Sequence, residues 1–143
     1  MDDLDTAILN ALGADARTSI AVLARRLRVA RSTVQSRLER LEAAGVITGY
    51  TLKLGEAARP NRLRASMVLT IEARAQAGIL ARLKAVPEVE RVVTTAGRFD
   101  LLVQVAAPDT QGLDRVLDLI GALTGVRAAE SLVHLTTRFD RAS

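Results

Sequence analysis

The chain has no cysteine, no tryptophan, a single histidine and only three other aromatic residues among its 143. Without cysteine, disulfides, thiol catalysis and thiolate metal sites are excluded. A metal centre would have to be almost wholly carboxylate, and no Asp/Glu spacing suggests one. A Ser-His-Asp triad would depend on His134 alone, and no nucleophile elbow accompanies it. No enzyme and no cofactor are expected. Tyr50, Phe99 and Phe139 are too few to form the stacking platforms of single-strand binders. No apolar run approaches the ~18 residues of a membrane span, and no basic-then-apolar leader is present. The expectation is a soluble cytoplasmic protein.

Against these absences stand a hydrophobic content of 49% and a net charge of +4. The length suits one ordinary domain or two small ones. The charge is uneven: residues 17–40 hold seven arginines and one acid, Glu39, a net +6 that leaves −2 for the rest. A local basic field is the electrostatic footprint of a nucleic-acid site, and the scarcity of aromatics favours duplex DNA. The acids at the start, Asp2, Asp3 and Asp5, suit helix capping better than phosphate contact.

That basic stretch reads as two helices and a tight turn. A first helix over Asp3–Leu12 carries Leu4, Ile8, Leu9 and Leu12 on one stripe, with Gly13 as its stop. Ser19 caps a second helix, Ile20–Leu27, and Val29 plugs the following corner. The third helix, Arg31–Ala44, buries Val34, Leu38 and Leu41 and turns Ser32, Ser36, Glu39 and Ala43 to the opposite side. Thr33 and Arg40 lie on one flank and Gln35 on the other. Short polar groups ringed by cations are what a major-groove helix needs. Gly45 ends it, and Val46, Ile47, Tyr50, Leu52 and Leu54 read as an extended wing. Residues 1–54 are thus expected to be a winged helix-turn-helix. Gly55–Arg64 is polar, holds Pro60 and reads as a linker, with arginines that are either solvated or on DNA backbone.

The second half, 65–143, changes period. Strands are expected over Ala65–Ala73, Val89–Ala96, Asp100–Ala107 and Ala128–Phe139, and helices over Gln76–Val86 and from Asp109 or Thr110 to Leu123. Ile79, Leu80, Leu83, Val86 and Val89 recur as Val116, Leu117, Ile120, Leu123 and Val126, always 37 residues on. The repeated unit is β-α-β, so the fold class is α+β, with a ferredoxin-like, ACT-like βαββαβ sandwich behind the DNA-binding unit. The helices cover one sheet face. The other is also apolar, through either the Met67/Leu69/Ile71 or the Val68 set, and either Leu101/Val103/Val105 or Leu102. Pairing of two sheets would cover it, and a dimer matches two-fold operators.

The order LDTAIL, RLERLEAAGVITGY, PEVERVVTTAGRFDLLV and TGVRAAESLVHL resembles the Lrp/AsnC, or feast/famine, regulators across nearly the whole chain. The patterns RLE-x-x-GVI-x-GY and G-x-[YF]-D-L carry the resemblance in combination. It implies an N-terminal unit that binds operator DNA. It also implies a C-terminal unit that dimerises, assembles to tetramers or octamers and binds an amino acid or related small molecule near Gly97-Arg98-Phe99-Asp100. The sequence departs from the family at two places. Arg98 stands where effector-binding members often carry a small acidic or amide residue; it either favours a carboxylate-rich ligand or pairs at an interface. Ala30 and Arg31 stand where Ser and Pro usually open the third helix, so Ser32 is an alternative, later cap.

Candidate DNA-binding residues are therefore Arg28, Arg31, Ser32, Thr33, Gln35, Ser36, Arg37 and Arg40. Gln35 and Ser36 are read as base-edge readers, or as contacts to phosphate and water only. The arginines are read as phosphate clamps, or as surface partners of Glu39 and Glu42. Asp100 accepts a ligand ammonium or closes its own turn; Phe99 is pocket wall or interface packing; His134 is a sheet residue before it is a sensing group. The function expected is sequence-specific transcriptional regulation with a sensing domain. The alternative is an effector-independent architectural DNA-binding protein.

Overall fold

Asp2 and Asp5 start the first helix, α1 (Asp3–Ala14), with a reciprocal capping box. The Asp2 carboxylate accepts the Asp5 N–H at 3.0 Å and the Asp5 carboxylate accepts the Asp2 N–H at 3.3 Å. Gly13 is not the stop. The helix runs on to Ala14 because Asp15 supplies the exit, its N–H bonded to the Ala11 carbonyl and its carboxylate taking the Arg17 N–H at 3.0 Å. Ser19 caps α2 (Ile20–Leu27) through the Val22 N–H. The third helix, α3 (Arg31–Ala43), starts at Arg31, and Ser32 is not its cap: the extended Ala30 already directs its carbonyl to the N–H groups of Thr33 and Val34. No side chain caps it.

These helices share a core of Ile8, Leu23, Ala24, Val34, Leu38 and Leu41, with Val29 and Ile47 packed at its edge. Gly45, at φ +75°, closes α3 in a Schellman arrangement: the Val46 N–H bonds the Leu41 carbonyl and the Gly45 N–H bonds that of Glu42. The expected wing is absent as a strand. Residues 46–55 form no strand, and Val46, Tyr50, Leu52 and Leu54 are exposed. Tyr50 does return to α3, its hydroxyl donating to Glu42 at 2.8 Å.

This computed structural model describes residues 1–55, 57–58 and 61–141. The expected linker therefore includes three residues, Glu56, Arg59 and Pro60, outside the described set. The chain divides into the units Met1–Lys53 and Leu54–Ser143. In the second unit β1 (Leu63–Ile71) begins earlier than expected and ends earlier, because Ala73–Ala75 turn as a 3-10 helix into α4 (Gln76–Lys84). Then come β2 (Val89–Thr94), β3 (Leu101–Ala107), α5 (Thr110–Gly121) capped by Asp109, and β4 (Val126–Val133). The strand order is β2-β3-β1-β4, antiparallel throughout, which is the ferredoxin-like βαββαβ order.

β4 stops at Val133 and does not continue to Phe139. Its ladder partner runs out: His134 donates its N–H to Arg64, next to the first residue of β1. The register settles which face is which. Ala65, Met67, Leu69 and Ile71 join Leu101, Val103 and Val105 against Ile79, Leu83, Leu113, Val116 and Ile120. Val68 and Leu102, paired across the strands, lie on the opposite face.

Gly125 joins α5 to β4 at φ +95°, and a Cβ there would sit 2.3 Å from the Cβ of Ala75. Gly125→Ala is expected to destabilise the second unit by roughly 2–4 kcal/mol, combining left-handed strain with overpacking. A urea titration monitored by circular dichroism checks this.

Candidate nucleic-acid interface and effector loop

Burial of Val34, Leu38 and Leu41 sets which side of α3 faces the core. Arg31, Ser32, Gln35, Ser36, Glu39 and Arg40 are exposed, while Thr33 and Arg37 are half-buried. The first N–H groups of α3 have no side-chain acceptor, so this helix start can still bond an anion. Arg28, the C-cap of α2, takes φ +57°, the one left-handed non-glycine among the described residues. Such a conformation costs a bulky residue about 1–2 kcal/mol. Gln35 donates from Nε2 to Glu39 Oε1 at 2.9 Å.

Arg37 is turned away from that face. Its guanidinium bonds the Asp2 carboxylate and, at 3.2 Å, Oδ1 of Asp5. Arg40 reaches Oδ2 of Asp5 at 3.4 Å. Asp5 is 2% exposed, the one buried charged residue described. A buried carboxylate needs cations and donors around it, and α3 supplies two arginines while the Asp2 N–H supplies a donor. The partners of Arg37 and Arg40 are thus acids of α1 instead of Glu39 and Glu42. The Arg37 hydrogen bond, with help from the Asp5 N–H, holds the Asp2 carboxyl at about 2, down from its ordinary 3.8. The carboxylates of Asp2 and, next, Asp5 in turn raise the Arg37 guanidinium. Arg28 and Arg31 have no ion pair among the described residues.

In the second unit Gly97 takes φ +132° and turns the chain between β2 and β3. Thr95 closes the turn, its hydroxyl bonded to the Phe99 carbonyl at 2.6 Å. Arg98 lies over the Phe99 ring, 4.9 Å from its centre, and reaches Glu130 at 3.5 Å. Asp100 bonds to β1, its Oδ2 accepting the Ile71 N–H at 2.9 Å, where the β1–β4 register shifts. Its carboxylate thus satisfies a backbone group of another strand, not of its own turn. His134 is exposed beyond the end of β4, 2.8 Å from the Ser66 hydroxyl. A depression of about 90 Å³ lies on the open sheet face among Arg91, Val93, Leu102 and Gln104. A groove of about 420 Å³ runs past Asp2, Asp5, Arg40 and Val46 in the first unit. Residues 97–100 line neither.

Residues 1–48 match the model of a winged helix-turn-helix DNA-binding domain. Residues 66–143 match that of the Lrp/AsnC ligand binding domain. The chain belongs to the Lrp/AsnC family. It is 30% identical to the transcriptional regulator LrpA of Mycobacterium tuberculosis over 142 residues, covering 99% of this chain and 95% of LrpA. The structure of Escherichia coli AsnC, 27% identical, superposes with a TM-score of 0.89 over 100% of this chain and 97% of that one. A Neisseria meningitidis regulator solved as a complex with L-Met is 27% identical, with a TM-score of 0.85 over 100% and 95%. This Lrp/AsnC member is a DNA-binding transcriptional regulator with a ligand-binding domain, and not an enzyme. No helix of the described residues is long and apolar enough to cross a membrane.

Three roles escaped the sequence: Asp5, expected only as a capping acid, is also the buried partner of Arg37 and Arg40; Glu39, expected as an arginine partner, bonds Gln35; and Glu130 pairs with Arg98. Asp5 left a signal, because it lies within the apolar arc of α1, between Ile8 and Leu9 in projection, where an acid implies a cation opposite.

Arg37→Ala is expected to lower the unfolding midpoint of the first unit and leave the salt slope of DNA binding unchanged. Arg31→Ala should reduce that slope by about 0.9, one phosphate contact. The pH dependence has a defined sign. Because the folded-state value of Asp2 is depressed, its stabilisation is complete above its unfolded value, near pH 4, and is lost as pH falls towards 2. That acid limb should be weaker in Arg37→Ala, as thermal unfolding from pH 2 to 6 would register.

Proposed function

We propose that α3 reads operator sequence through its exposed face, with Gln35 and Ser36 on base edges and Ser32 and Thr33 beside them. Arg28 and Arg31 are the phosphate clamps, and Arg40 divides its charge between Asp5 and the DNA. Arg37 passes from clamp to anchor. One observation carries the reading: α3 is held by three buried apolar residues and a buried carboxylate, while its small polar groups remain in solvent. Small groups can approach base edges only from such a fixed helix.

The second unit, in this reading, forms a homodimer through its open sheet face, assembles further to a tetramer or octamer, and binds an amino acid at Gly97–Asp100. Support comes from Val68 and Leu102 on that face, from Leu132, which is 64% exposed, and from the L-Met complex of the Neisseria relative. Arg98, levelled over Phe99, suits a ligand carboxylate through paired N–H groups. Regulation is linkage: the ligand favours one assembly, and with it one spacing of paired reading helices. An effector-independent architectural role is the second reading. It is favoured by the internal satisfaction of the loop, where Arg98 already has Glu130 and Asp100 has Ile71.

Thermal unfolding with each of the twenty amino acids separates these readings. Binding to the native state alone stabilises by about 2.7 kcal/mol at a hundred times the dissociation constant. Sensing requires at least one amino acid to raise the midpoint, and Arg98→Ala to abolish that rise. No shift with any of them favours the architectural role.

A further inference from the structure

Gln35 and Glu39 stand one turn apart on α3, both exposed, and touch each other through a single hydrogen bond of 2.9 Å. A carboxylate only accepts, so the Gln35 amide must present its nitrogen to Glu39, and its carbonyl oxygen points elsewhere. The nitrogen has a second hydrogen. With Glu39 on the hydrogen trans to the carbonyl, one N–H and the C=O remain side by side in the amide plane for a partner. Adenine offers the complement in the major groove, an acceptor at N7 and a donor at the N6 amino group. Guanine offers two acceptors there, and its O6 would face the amide carbonyl.

The charge of Glu39 sharpens the argument. It is the one acid among seven arginines in residues 17–40, and it lies on the face of α3 opposite the buried stripe. There it repels phosphate and weakens binding to every sequence equally. Discrimination is a difference of affinities, so that equal loss cancels and only the orientation of Gln35 raises the ratio. An unsupported Gln35 would also have to lose rotamer freedom on meeting a base, whereas one held by Glu39 starts closer to its bound state.

We infer that Glu39 is a positioning residue for base recognition, holding the Gln35 amide so that Gln35 selects adenine at one position of each operator half-site. The inference rests on the DNA-reading role proposed for α3.

The test is selection from a randomised duplex library by the full-length chain and three variants. Wild type should enrich adenine at one position per half-site, by about tenfold or more over guanine. Gln35→Ala should lose that preference. Glu39→Ala should weaken it severalfold while binding unselected duplex more tightly. Glu39→Gln should keep it, because its amide carbonyl still accepts the Gln35 N–H, and should also bind unselected duplex more tightly. Both side chains are exposed and, among the described residues, bonded only to each other, so the variants should fold, as their unfolding midpoints will report. If Gln35→Ala or Glu39→Ala retains the full adenine preference, the positioning role is wrong. If wild type enriches no sequence, α3 is not a reading helix and both ideas fall. Loss of preference in Glu39→Gln as well as Glu39→Ala would assign the effect to charge and overturn the positioning role.

Discussion

The carboxylate of Asp5 is the point on which the first unit turns. It sits in the seam between α1 and α3, almost out of solvent, facing two arginines of α3 and one backbone N–H of its own helix. Apolar burial of Val34, Leu38 and Leu41 would hold α3 against the core but allow it to slide or roll by small amounts. A buried charge does not tolerate such movement, because an unpaired carboxylate in an apolar seam is far costlier than a displaced methyl group. The ion cluster therefore fixes the rotation of the helix, and with it which side chains face outward. The basic field of residues 17–40 is in this way divided: Arg37 is an internal counter-ion, and Arg28 and Arg31 stay available to an external anion.

The second unit is ruled by a different constraint. Two helices cover only one face of a four-stranded sheet, so the strand register decides which apolar set is core. The pairing of Met67 with Val103 and Leu69 with Leu101 commits those residues inward and leaves Val68 and Leu102 on the uncovered side. Asp100 links the turn after β2 to this register, because its side chain supplies the bond for Ile71 at the bulge. The loop and the sheet are one mechanical piece. A ligand that moved Asp100 would be felt in β1 and β4 together.

Much of this was legible in the residues alone. The 37-residue repeat announced the βαββαβ order, and the stripe of Val34, Leu38 and Leu41 announced α3, though not which residue begins it. What was not legible came from partners distant in sequence and from turns with more than one possible exit. Arg37 looks like a surface cation until Asp2 and Asp5, more than thirty positions earlier, are placed against it. The alternation from Val46 to Leu54 suggests a strand, but among the described residues this segment forms no β-ladder. Gly13 has the chemistry of a stop, yet a glycine ends a helix only where the chain must turn left-handed, and Asp15 provides another exit. At Ser32 the cap chemistry was present but unneeded, because the extended backbone of Ala30 starts the helix by itself.

The central claim is that α3 presents one face to DNA while Arg37 faces inward as an anchor. Arginine-selective modification with a dicarbonyl reagent, followed residue by residue by mass spectrometry with and without duplex DNA, tests it most directly. The account predicts that Arg28 and Arg31 react quickly in the free protein and are protected by DNA, whereas Arg37 reacts slowly in both states. Fast modification of free Arg37 that DNA then suppresses would contradict it.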